Sequence, residues 1–220
     1  INLENIEIKS IVDVWQNYLK TNSKNFWNND EVKDLINYNV LDMSGILNPS
    51  IMNWNFKNSI LSINKIDEKK YLIKSIFETD NNDVFAITNV IAVKNKNEFK
   101  LSNYLFEYTK NWNLKESKNI NYLYINSHNL IQEDIDEAEV FYSKLCAFFD
   151  VKPEKITYYI AKDCDNIYEA IGYEWIFSKG NSLECGYFES KNNFIFATQK
   201  SGGNHYHEIT HFINKFYPNA

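Results

Sequence analysis

The hydrophobic pattern opens with a helical period. Ile8, Ile11, Val12, Trp15 and Leu19 recur at intervals of three and four and make one apolar stripe, which predicts an amphipathic helix. Residues 26–48 are mixed in pattern and predict short helices. The period then shortens. "SILSINKI", "KYLIKSIFE", "VFAITNVIAVK" and "FKLSNYLFEYT" are rich in β-branched and aromatic residues and read as strands. The turn-forming clusters "DEKK", "DNND" and "KNKNE" separate them, and connections this short predict an antiparallel meander.

A polar stretch, "NLKESKNIN" at residues 113–121, lies between two strand-like runs. It predicts a boundary between a first domain, 1–113, and a second, 119–220. In the second, "NYLYI" reads as a strand and "QEDIDEAEVFYSKLCAFFDV" as a helix, with Ala138, Phe141, Tyr142, Leu145, Phe148 and Phe149 on its apolar face. "KITYYIA" is a strand, and "DCDNIYEAIG" a short helix closed by Gly172. "EWIF", "LECGYFE" and "NFIFATQ" are strands, and "HYHEITHFINKFY" is a last helix, with Asn204 as its cap and Pro218 as its stop. The expected class is α+β: a helix on an antiparallel sheet, then a mixed sheet with a helix after its last strand.

Composition sharpens this. The chain has 220 residues, 44% hydrophobic and 16% aromatic, enough for a sizeable core. The five tryptophans, Trp15, Trp27, Trp54, Trp112 and Trp175, are expected to pack in it. Net charge is −6, and every basic residue is a lysine. Without a basic stripe carrying arginines, nucleic acid is not an expected partner. No apolar run nears the roughly 20 residues that span a bilayer, and no signal peptide is visible. The first residue is Ile1, which a cleaved export signal would explain, as would a trimmed chain; the former places the protein outside the cytoplasm. Cys146, Cys164 and Cys185 have no CxxC spacing and read as buried or free thiols, with a Cys164–Cys185 disulfide open to an exported protein.

Candidate chemistry lies in "NHYHEITHFINKF", residues 204–216. His207, Glu208 and His211 form HExxH. Residues four apart sit about 40° apart on one helix face, so both imidazoles can reach one zinc ion. Glu208 lies about 100° round from His207, beside the metal, where it can take a proton from a zinc-activated water. Histidines on a solvated helix face, or a non-catalytic metal site, are the alternatives. His205 is turned about 200° from His207 and is expected to cap the helix or face solvent. His128, in the polar loop "NSHNL", is expected to be exposed, and Glu184 and Glu189 to lie on a solvated face near strand ends; each is a minor candidate ligand.

Residues 119–220 resemble the gluzincins, the peptidase MA-like zinc metallopeptidases. The shared pattern is "KITYYIAKDCDNIYEAIG", then "CGYFESKNNFIFATQ", a loop, and "HEITH". The resemblance implies a zincin-like domain that hydrolyses peptide bonds, with His207 and His211 on Zn2+ and Glu208 as general base. It also implies an edge strand at Phe194–Thr198 that pairs with a peptide or protein substrate. The third ligand it implies is a glutamate on a later helix, which no residue after His211 matches by motif; the oxyanion stabiliser it implies is likewise unmatched. The order of elements in 1–113 is similar to cystatin-like and nuclear transport factor 2-like domains, which implies a structural or binding adjunct. Two rival readings stand beside the peptidase. One is a zincin-like binding module without activity. The other is a small-ligand binder acting through the first domain.

Overall fold

The first helix, α1, spans Ile6–Thr21 and buries Ile11, Val12, Trp15, Tyr18 and Leu19. Asn5 Oδ1 accepts the backbone N–H of Glu7 at 2.9 Å and satisfies a donor the first turn would leave open. At the other end Asn22 takes a left-handed conformation, φ 51°, and stops the helix. The computed structural model describes residues 3–28, 48–96, 98–177 and 182–217. Most of the short-helix expectation for 26–48, and Pro218, lie outside these residues.

The meander follows as predicted. Strands β1 (Lys57–Lys65), β2 (Lys70–Glu78), β3 (Val84–Asn95) and β4 (Glu98–Ser102) pair in that order, each antiparallel to the next. A short helix, α2 (Pro49–Asn55), precedes them, capped by Asn48. "FKLSNYLFEYT" is strand only to Ser102; Tyr104–Thr109 is a helix, α3. Tyr104 and Tyr108 sit one turn apart with ring centroids 5.8 Å apart, a helical spacing that a short aromatic run does not distinguish from alternation.

The chain forms two compact units: Ile1–Tyr108 with Tyr168–Lys179, and Thr109–Ile167 with Gly180–Ala220. Sequence order assigns "EWIF" to the second domain. Instead β8 (Tyr173–Ile176) hydrogen-bonds antiparallel to Ala86–Thr88 of β3 in the first unit. The polar stretch at 113–121 is a hairpin: β5 (Asn113–Glu116) turns back into β6 (Ile120–Tyr124). Glu139 holds that turn, accepting the N–H groups of Asn119 and Ile120.

The second unit is a mixed sheet ordered β5-β6-β7-β10-β9, with β7 at Ile156–Ala161, β9 at Gly186–Glu189 and β10 at Phe194–Thr198. β6, β7 and β10 are parallel; β5 and β9 are antiparallel to their neighbours. Helix α4 (Gln132–Phe148) connects β6 to β7, α5 (Cys164–Ile171) follows β7 and ends at Gly172 with φ 111°, and α6 (Tyr206–Asn214) follows β10. Ile135, Ala138, Tyr142 and Cys146 of α4 pack with Ile120, Tyr158 and Ile195 of the sheet and with Ile209, Phe212 and Ile213 of α6. Phe148, expected in that face, is 82% exposed, being about 120° round the helix from Tyr142. Among the described residues no helix is long and apolar enough to cross a membrane.

Candidate metal centre

The loop before α6 decides where the helix starts. Gly202 has φ 71°, a conformation side chains other than glycine rarely adopt. Two tyrosines from the sheet fasten this loop: Tyr158 Oη donates to Gly202 O at 3.0 Å and Tyr122 Oη to Gly203 O at 3.1 Å. Tyr158 Oη also accepts the His205 N–H at 3.3 Å. Burial, first of all, pushes both phenols up, and nearby carboxylates add to this, so the hydroxyls keep their protons and donate. These tyrosines lack a motif; their signal is only an inward polar tip in strands otherwise suited to a core.

His205 is the N-cap residue, and its carbonyl accepts from Glu208 and Ile209. Asn204, the expected cap, donates instead to Glu137. The His205 side chain makes no capping bond, and its buried Nδ1 has no hydrogen-bond partner among the described residues. The helix then buries Glu208, Ile209, Phe212 and Ile213, with Phe212 edge-on to Tyr142 at 5.1 Å. Phe216, also expected on this side, is 42% exposed.

That burial fixes the other face. His207 Nε2 and His211 Nε2 lie 3.1 Å apart. Glu208 Oε1 is 3.9 Å from His207 Nε2. The three side chains each offer a ligand atom, all within 4.8 Å of one another, and together can hold a metal ion. The donor chemistry fits: imidazole nitrogens and a carboxylate suit a divalent first-row metal. No further histidine, cysteine or carboxylate joins the group among the described residues. Asn214 Nδ2 stands 3.0 Å from His211 Nδ1 and fixes that ring, a partner the sequence motif did not reveal. His207 is 71% exposed in its side chain and Glu208 only 6%, so the histidine faces solvent while the carboxylate is held inside.

A cleft of about 430 Å³ runs between α6 and β9, lined by Gly186 and Phe188 on one side and by His207, Glu208, His211 and Asn214 on the other. β9 pairs with β10 on one side and, among the described residues, with no strand on the other. The edge strand beside the helix is therefore β9. The expected one, Phe194–Thr198, is interior, flanked by β7 and β9 and wholly buried. Its unbroken apolar run fits a strand covered on both faces.

The minor candidates have other tasks. Glu189 caps the β9–β10 turn, accepting from the N–H groups of Lys191 and Asn192. Glu184 pairs with Lys200 at 2.9 Å, and that contact draws its carboxyl below the ordinary range. His128 is half-buried rather than exposed; burial lowers its pKa, and its Nε2 has no hydrogen-bond partner among the described residues. Cys164 and Cys185 form a disulfide and Cys146 is a buried thiol, so the thiol reading holds for Cys146 alone. No protein-family model matches the chain, and no curated protein or solved structure matches it either.

Proposed function

We propose that the protein is a zinc-dependent metallopeptidase, with His207 and His211 as zinc ligands and Glu208 as general base. The observation that carries this is the 3.1 Å separation of the two Nε2 atoms beside the buried carboxylate. Two imidazole nitrogens that ligate one zinc tetrahedrally at about 2.05 Å lie roughly 3.3 Å apart, so the helix presents them nearly as the ion needs. Zinc bound there supplies Lewis acidity, acidifying water and polarising a carbonyl. Glu208 accepts the water's proton and passes it to the leaving amine. Asn214 orients the His211 ring through Nδ1. The side of β9 that pairs with no strand among the described residues would offer backbone groups to an extended peptide lying along the cleft past Glu208. Among the described residues, no side chain matches the third ligand that the gluzincin resemblance implies. The Cys164–Cys185 disulfide supports an oxidising location outside the cytoplasm. The first unit serves as a structural or binding adjunct.

One observation favours the inactive binding module: among the described residues, two histidines and Glu208 are the metal-ligating side chains that meet at the site. The same experiment decides between them. Zinc-loaded wild-type protein and Glu208→Gln are incubated with a defined peptide mixture, and new termini are read by mass spectrometry. Wild type is expected to cleave, and Glu208→Gln to keep zinc while losing about 10²–10⁴-fold in rate, the usual share of a general base. Retained activity in Glu208→Gln removes that residue from its role. A zinc-loaded wild type that cleaves nothing sinks the peptidase reading.

A further inference from the structure

The structure accounts for two kinds of glycine in this chain. Gly172 and Gly202 have positive φ values of 111° and 71°, where backbone conformation requires glycine. Gly186 is not among these residues. Its constraint is space. A Cβ built there would lie 2.6 Å from His205 Cε1 and 2.7 Å from both Glu208 Cγ and Glu208 Oε1. Carbon atoms in contact ordinarily stand about 3.5–4.0 Å apart, so such a side chain and the present Glu208 exclude each other.

Which of the two would yield follows from what holds each. Gly186 is the first residue of β9, in register with Ala197 of β10, and its neighbour Cys185 is tied to Cys164. The strand has little room to withdraw. The Glu208 carboxylate accepts no hydrogen bond among the described residues, and the nearest basic side-chain nitrogen among them, His207 Nε2, lies 3.9 Å from Oε1. Packing, then, is what places it. The surface it packs against is the bare Cα of Gly186.

We infer that Gly186 is a positioning residue for Glu208: the absent side chain makes the space that keeps the carboxylate beside His207 and His211. The role of Glu208 as base rests on the peptidase reading; the packing of Glu208 on Gly186 does not. The three atoms nearest a Cβ belong to His205 and Glu208 and none to His207 or His211, so the added methyl would press on the base before it reached either histidine ligand.

The test is Gly186→Ala in the full protein, with four readouts: zinc content, circular dichroism, kcat and KM, and the carboxyl carbon NMR signal of Glu208 assigned through Glu208→Gln. The expected result is a folded variant with full zinc, unchanged KM, a displaced Glu208 signal and a kcat lowered about 10²-fold, the scale of a 1 Å misplacement. Unchanged kcat with an unchanged Glu208 signal overturns the inference. Loss of zinc together with activity also overturns it, because the residue would then shape the whole site. If Gly186→Ala does not fold, the pair Cys164→Ser and Cys185→Ser releases the start of β9 without adding an atom there. The Glu208 signal is then expected to move, and a fixed signal contradicts the account. If wild type has no peptidase activity, that reading fails while the NMR comparison still decides the placement of Glu208.

Discussion

Glu208 is buried, yet its carboxylate accepts no hydrogen bond among the described residues. A buried carboxylate is costly unless positive charge lies close by. On the proposed reading a cation held by His207 and His211 supplies it. The hydrogen bond of each imidazole then matters. Metal on His211 Nε2 leaves the proton on Nδ1, so Asn214 must present its side-chain oxygen where the amide nitrogen now stands, 3.0 Å away. Asn214→Ala should weaken zinc binding about 10–100-fold, measured by competition with a chromogenic chelator. Unaltered affinity would remove Asn214 from this role. The motif alone made His207, Glu208 and His211 legible, because the i, i+4 spacing is itself the geometry. Asn214 and Gly186 were not legible, since their importance lies in what the folded chain brings near them.

At the scale of elements, α6 is fixed at both ends. Tyr122 and Tyr158 fasten the loop before it. Just past its end, Lys215 donates to Glu154 at 2.8 Å and Asn193 at 2.7 Å. β9 is fixed at its start by the disulfide, whose cysteines are 21 residues apart. Closing a loop of that length constrains the unfolded chain by about 3 kcal/mol. Urea unfolding of the Cys164→Ser, Cys185→Ser pair should show a loss near that size, and a midpoint equal to wild type would contradict it. Strand existence was readable from pattern at "LECGYFE" and "NFIFATQ", but strand order was not. Both runs are short and apolar, and nothing local tells an interior strand from an edge one. The same ambiguity sent "EWIF" to the wrong sheet and hid α3 in an aromatic run. The meander was legible in order because its turns are short enough to force neighbours to pair.

The whole molecule is an α+β protein of two units, one with an antiparallel sheet and one with a mixed sheet. Its acid limit can be read from two carboxylates in the second unit. Burial of Glu139 works to raise its pKa, but hydrogen bonds from Ser117, Asn119 and Ile120 outweigh it and hold the group below its ordinary value of 4.5. Glu154 is lowered by hydrogen bonds from Lys215 and then Asn193. A carboxylate with a depressed folded pKa contributes fully above its unfolded value and loses that contribution as pH falls through the folded one. The melting temperature should therefore hold near neutrality and drop below about pH 4.5, and Glu139→Gln should flatten that drop. A melting temperature that rises on acidification would contradict the assignment.

The most direct test of the central claim is the zinc content of purified protein, wild type beside His211→Ala, determined by mass spectrometry after dialysis against metal-free buffer. The account predicts stoichiometric zinc in wild type and its loss in His211→Ala with the fold intact by circular dichroism. Wild-type protein that neither carries zinc nor takes it up would contradict the account.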